Sequence, residues 1–155
     1  MKVAHHSLAP VVNRTCVVHV IFACVHNAGR SQMAAALFNG ACDPLRARAS
    51  SAGTAPSERV HAEAVDVMRE FGIDLSHVFP TRLTTQLAAT ADLLVTMGCG
   101  EECPVVPGLR RIDWPIPDPK GQPLERVREI RDRIAELVNG LVAQEGVART
   151  SKPVA

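Results

Sequence analysis

A mostly apolar run, Val17-Val18-His19-Val20-Ile21-Phe22-Ala23, leads without a break into the loop Cys24-Val25-His26-Asn27-Ala28-Gly29-Arg30, and a helical pattern begins at Ser31. A short β-branched stretch that stops at a small-residue loop and restarts as a helix is a strand–loop–helix unit. Further along, the same alternation returns. Residues 46–52 read as a second strand, ended by Gly53-Thr54-Ala55-Pro56. Residues 58–71 carry apolar side chains at 60, 64, 67, 68 and 71, one face of a helix, and Gly72 is placed to stop it. A short helix over 84–89, a buried strand over 92–97, a weaker strand over 110–114 and a long helix over 123–143 complete the pattern. Strands separated by helices must run parallel. The fold class expected is therefore α/β, a single domain with a four-stranded parallel sheet flanked by helices on both faces.

Length and composition narrow the possibilities. With 155 residues, 46% of them hydrophobic, the chain can bury one core without disulfide staples. Its formal charge of +1 supplies no electrostatic footing for nucleic acid. The apolar run near residues 16–25 is too short to span a membrane, and the first ten residues lack the apolar centre of a signal peptide. A cytoplasmic location is expected. Residues 1–13 read as a flexible extension, 14–146 as the domain and 147–155 as a flexible tail; His5 and His6 are expected to be solvated.

The first loop is where chemistry concentrates. Backbone N–H groups at a helix start are unpaired and sit at the positive end of the dipole, and a loop curling over them turns further amides toward one point. The amides of Val25, His26, Asn27, Ala28, Gly29 and Arg30 are thus candidate ligands for an oxyanion, and the planar Arg30 guanidinium can grip two of its oxygens. Cys24 lies in the same positive field, which favours its nucleophilic thiolate form. Asn27 and Gly29 suit unusual backbone angles, and Ser31 can either cap the helix or donate to the sulfur. A buried strand-end cysteine is more often a small core residue, but that reading leaves the Asn, Gly, Arg and Ser of the loop unexplained.

Ligands of parallel sheets sit beyond the carboxyl ends of the strands, so Cys24 and the segment 98–103 should rim one crevice. Prolines at 104, 107, 115, 117, 119 and 123 break the next stretch into irregular chain containing Asp118. Asp118-Pro119 reads either as a turn former or as the carboxylic acid that protonates an oxygen leaving group; Glu101, Glu102 and Asp113 are alternative acids. Of the five cysteines, Cys16 is expected in the core and Cys42 in a surface turn. Cys99 and Cys103 read as half a zinc site, as idle loop thiols, or as the favoured redox relay in which one sulfur reaches Cys24 and the other resolves the disulfide.

Five segments in order carry a family likeness: Cys-Val-His-Asn-Ala-Gly-Arg-Ser-Gln-Met-Ala at 24–34, Ser-Ala-Gly-Thr at 51–54, Gly-Ile-Asp-Leu-Ser at 72–76, Val-Thr-Met-Gly-Cys at 95–99 and Asp-Pro-Lys-Gly at 118–121. Together they resemble the low-molecular-weight protein tyrosine phosphatase superfamily, and within it the arsenate reductases coupled to thioredoxin or to mycothiol. The resemblance implies Cys24 as nucleophile, Arg30 as oxyanion clamp, Ser31 as the thiolate's partner, Asn27 as loop brace and Asp118 as general acid. It also implies a cycle in which Cys99 attacks the Cys24–arsenic adduct and Cys103 resolves the product for thioredoxin. In the alternative cycle mycothiol attacks the adduct and a mycoredoxin completes the reduction. Phosphatases of this superfamily place aromatic residues after the Asp-Pro; here Lys120-Gly121 follow, and the chain has no tyrosine. Gly98 stands where thioredoxin-coupled relatives carry a cysteine. Ala35 replaces the Glu through which some bind potassium, so neither a metal nor a cofactor is expected. Besides arsenate reduction, phosphoester hydrolysis by the same cysteine and a non-catalytic oxyanion-binding or redox-sensing role are the competing expectations.

Overall fold

A computed structural model describes residues 17–99 and 102–150. The expectations placed on residues 1–13, Cys16, Glu101 and 151–155 lie outside the described residues. The elements are β1 (Val18–Cys24), α1 (Arg30–Ala41), β2 (Ala47–Gly53), α2 (Ala62–Arg69), α3 (Thr85–Ala88), β3 (Leu93–Thr96), β4 (Arg110–Asp113) and α4 (Leu124–Glu145). The sheet order is β2-β1-β3-β4, and every pairing is parallel. β1 is therefore central, and the buried, β-branched character of the opening run is that of a strand covered on both sides.

Side chains alternate across β1. Val20, Phe22 and Cys24 point into the larger cluster, with Met33, Phe38, Met68, Trp114, Ile134 and Val138 among its members. Phe22 packs between Phe38 and Trp114, with ring centroids 5.8 and 5.7 Å away. Ile21 and Ala23 point to a smaller cluster with Leu83, Ala88, Leu94, Cys99 and Cys103. The two faces are thus covered unequally. The buried apolar residues of α1, α2 and α4 all belong to the larger cluster, whereas the four-residue α3 and irregular chain close the smaller one.

Three expectations change. The helix expected over 58–71 begins only at Ala62, because the preceding residues give their amides to the loop after β1, as detailed below. Cys42 is not in an exposed turn: it is 1% exposed and its thiol donates to the Ala47 carbonyl. Burial raises that thiol's pKa, the opposite of activation. Finally, the tail expected to fray from 147 is packed as far as it is described. Val147 is buried, Ala148 bridges Cys42, and Arg149 donates to the carbonyls of Ala41 and Gly40. No described helix is long and apolar enough to cross a membrane; α4 alternates Glu and Arg along its exposed side.

Arg131 of α4 ties α2 to the bundle. Its buried guanidinium donates to the Val67 carbonyl at 2.9 Å and to Glu70 at 2.7 Å, and it lies 4.0 Å from the centroid of the Phe71 ring. Replacing Arg131 by Ala leaves a buried carbonyl without its donor and a ring without its cation. The expected loss is about 2 kcal/mol in urea unfolding. Arg131→Lys should recover only part of it, since an ammonium cannot reproduce the planar fork. A loss below about 0.5 kcal/mol, the range of ordinary surface substitutions, would contradict this account.

Candidate active site

The loop between β1 and α1 is held by its carbonyls. Six in succession accept hydrogen bonds from surrounding chain: Cys24 from the Thr54 amide (3.2 Å), Val25 from Ala55 (2.8 Å), His26 from Ser57 (3.0 Å), Asn27 from the Gln32 side chain (3.1 Å), Ala28 from His61 (2.9 Å) and Gly29 from Met33 (3.0 Å). Carbonyls drawn outward leave the amides facing the other way. No amide from Val25 to Gly29 donates a hydrogen bond within the described residues. Arg30 opens α1, Gly29 caps it without a side-chain bond, and no acidic residue occupies its first turn. The result is five consecutive unpaired amides at the positive end of a twelve-residue helix.

One glycine and one asparagine permit this curvature. A Cβ on Gly53 would lie 2.6 Å from the Val25 carbonyl oxygen and 2.9 Å from the Asn27 amide, so the loop can rest on β2 only over a glycine. Asn27 is the one described non-glycine residue at positive φ (51°), a conformation that asparagine tolerates. Its side chain is fully committed. The Thr81 amide donates to Oδ1 at 2.8 Å, which fixes the amide's orientation because a backbone N–H can only donate. Nδ2 then donates to Ser31 Oγ at 2.7 Å, and the Ser31 hydroxyl lies 3.0 Å from Cys24 Sγ, where it can donate to a thiolate or accept from a thiol. Of the two roles open to Ser31 in the sequence, the structure selects the partner of the sulfur. Gln32 braces the same asparagine twice, on its carbonyl and on its Oδ1; nothing in the spacing of the sequence singles it out.

Arg30 reaches over the loop. It is 7% exposed, with Nη1 donating to the Ile116 carbonyl at 3.0 Å and Nη2 lying 3.8 Å from the Asp118 carboxylate. The proline-rich chain thus brings Asp118 to the clamp, as one reading of that loop anticipated. The alternative acid Asp113 accepts from the Thr96 hydroxyl at 2.6 Å and is committed within the sheet; Glu102 is exposed. Asp118 Oδ1 accepts from the Lys120 amide, and Pro119 is buried against Gly29. His61, whose amide holds the Ala28 carbonyl, sits beside this turn. Partial burial lowers its pKa, against the opposing pull of Glu63 and Asp118.

Gly98, at the end of β3, meets the clamp from the other side: a Cβ there would lie 2.6 Å from Arg30 Nη1. Its φ is +86°. The next residue, Cys99, is in a disulfide with Cys103, and both are buried in the smaller cluster. Cys24 is a free thiol. The two ends of the expected crevice therefore meet at Arg30. Among the described residues no group of Cys, His, Asp and Glu is arranged to hold a metal ion.

Comparison with known proteins follows the same lines. The family model described as low molecular weight phosphotyrosine protein phosphatase matches residues 19–152. A Halobacterium salinarum protein provisionally named an arsenate reductase is 40% identical over 121 residues, covering 76% of this chain and 85% of that protein. The glutaredoxin arsenate reductase of Synechocystis is 34% identical over 128 residues, with 81% and 96% covered. Among solved structures, the thioredoxin-dependent arsenate reductase of Corynebacterium glutamicum superposes with a TM-score of 0.72 at 33% identity, covering 90% of this chain and 68% of that one.

Gly98→Ala should push Arg30 off its seat and raise the dissociation constant for inorganic phosphate, measured by calorimetry, at least about tenfold through loss of a charge-assisted bidentate contact. Gly108→Ala is the control, since its φ is also positive (+83°) but nothing lies within 4 Å of the new methyl group. Equal phosphate affinity in the two variants would show that the approach to Arg30 is immaterial.

Proposed function

The chain belongs to the low molecular weight phosphotyrosine protein phosphatase family, and from that footing we propose that it reduces arsenate to arsenite, in arsenic detoxification, through a covalent adduct on Cys24. The observation that carries this reading over hydrolysis is the Cys99–Cys103 disulfide, which begins one residue beyond the glycine touching Arg30. A hydrolase of this family needs no second pair of sulfurs beside its anion clamp. The relatives named arsenate reductases support the same substrate, and the absence of any tyrosine or phenylalanine after Asp118-Pro119 leaves no ring to stack on an aryl phosphate.

In this reading arsenate occupies the concavity formed by the amides of residues 25–30, with two of its oxygens on Arg30. The Cys24 thiolate attacks arsenic, a sulfur–arsenic bond forms, and an As–O bond breaks as Asp118 gives its proton to the departing oxygen, which leaves as water. The Cys99 thiolate then attacks Cys24 Sγ. The sulfur–arsenic bond breaks with its electron pair remaining on arsenic, so As(V) becomes As(III) and a Cys24–Cys99 disulfide forms. Cys103 attacks Cys99, releasing the Cys24 thiolate and closing the Cys99–Cys103 bond, which a dithiol partner must reopen. The Cys99–Cys103 disulfide supports the last of these states. Because Cys24 belongs to the face under α1 and the disulfide pair to the opposite face, Cys99 must leave the smaller cluster for the transfer between them. A thioredoxin-type protein is the proposed reductant, and mycothiol with a mycoredoxin is its competitor, attacking the arsenic adduct directly.

Purified protein assayed for arsenite release with thioredoxin, thioredoxin reductase and NADPH, and separately with mycothiol and mycoredoxin, tests both substrate and donor. Cys24→Ser should abolish turnover in either system. Cys103→Ser should accumulate a Cys24–Cys99 disulfide visible by mass spectrometry, and Cys99→Ser should stop thioredoxin-driven turnover. Full turnover of both single variants would assign the second step to an external thiol, and rapid aryl phosphate hydrolysis without arsenite release would overturn the reductase reading.

A further inference from the structure

The turn that carries Asp118 is exposed, yet it is held at two points. Pro119 is buried, with its Cγ 3.0 Å from where a Cβ of Gly29 would stand. At the other end the Gly121 amide, at a φ of +73°, donates to Glu63 Oε2 at 2.9 Å. Between them the Asp118 carboxylate accepts from the Lys120 amide at 3.0 Å, so its direction follows the geometry of the turn. Glu63 lies in the first turn of α2, two residues after His61, whose amide holds the Ala28 carbonyl of the anion loop. A single stretch of chain, 61–63, therefore supports the loop that holds the anion and the turn that carries the acid.

We infer that Glu63 is a positioning residue for Asp118, latching the 118–121 turn over the oxyanion loop so that the acid stands beside Arg30. Two further features support the latch. Hydrogen bonds from its own amide and from Gly121 hold the Glu63 carboxyl below the usual carboxylate range, so it is an ionised, strong acceptor at neutral pH. Pro119 against Gly29 and the Ile116 carbonyl on Arg30 hold the backbone on the near side of the acid, but the carboxylate itself approaches Arg30 only at 3.8 Å and is 43% exposed; contacts of that kind hold a side chain loosely. A glutamate in a helix's first turn is also an ordinary partner of the helix dipole. That role would be felt in stability and not in a step that depends on the acid.

The inference rests on Asp118 being the general acid, and the experiment separates the two. Steady-state arsenite release is measured for Glu63→Ala, Glu63→Gln, Asp118→Asn and the Glu63→Ala/Asp118→Asn double variant, with phosphate affinity and melting temperature recorded for each. Glu63→Ala should lower kcat about tenfold, the scale of a misplaced general acid, with KM for arsenate and phosphate affinity within about twofold of the parent. Glu63→Gln keeps an oxygen acceptor for Gly121 and should retain kcat within about threefold, since only the charge assistance is lost. In the Asp118→Asn background, Glu63→Ala should cost nothing more. Parent-like kcat in Glu63→Ala, equal losses in Glu63→Gln and Glu63→Ala, or losses that multiply in the double variant would each overturn the latch. Parent-like kcat in Asp118→Asn would instead overturn the acid assignment and take the latch with it.

Discussion

The organisation of this protein depends on where six consecutive carbonyls point. A loop that presents its amides to an anion must satisfy its carbonyls elsewhere, and none of the available solvent-facing conformations would hold them still. Here Gln32 and Met33 of α1 take two of the six, and the chain just beyond β2 takes the other four through the amides of Thr54, Ala55, Ser57 and His61. That stretch is consequently unavailable to α2, which starts late. β2 must pack beside β1 to deliver it, and Gly53 must be glycine for the two to touch. The sheet order, the delayed helix and the glycine are consequences of one hydrogen-bonding requirement.

A second tier of bonds then acts on the side chains. Thr81 fixes which way Asn27 points, Asn27 donates to the Ser31 hydroxyl, and that hydroxyl meets the Cys24 sulfur. The first two links have a fixed direction; in the third either atom can donate, and a thiolate would receive the hydroxyl proton. The clamp is treated similarly. Arg30 is fixed by a backbone carbonyl on one side and by the absence of a side chain at Gly98 on the other.

Much of this was legible in the chain before folding. The strand–loop–helix unit, the parallel sheet and the grouping of Cys24, Asn27, Arg30 and Ser31 follow from local patterns, because apolar periodicity and loop chemistry act over a few residues; Asp118 is singled out by the family resemblance, since the residues alone leave Glu101, Glu102 and Asp113 as alternatives. What escaped notice is what long-range backbone bonding decides. Residues 58–61 continue the helical periodicity of α2, but the flanking amides of Ser57 and His61 go to the carbonyls of His26 and Ala28 and the helix begins only at Ala62. Gln32 and Thr81 look like ordinary polar residues until Asn27 is placed between them. Cys42 reads as a turn residue beside Asp43-Pro44, but the chain beyond α4 returns to cover it. Helices do cover both sheet faces, but how unequally is a long-range matter, since the segment between β2 and β3 spends its length on the loop and α2 and leaves only α3 for the far side.

That lopsided covering divides the labour of the molecule. Three helices press the sulfur-bearing end of the central strand into a stiff cradle, suited to gripping a small rigid tetrahedron. The opposite surface is roofed by one helical turn and a short covalent staple, where peeling back costs the least contact. Chemistry that demands fixed geometry and chemistry that demands travel are thereby housed on opposite sides of a single sheet, one strand thick.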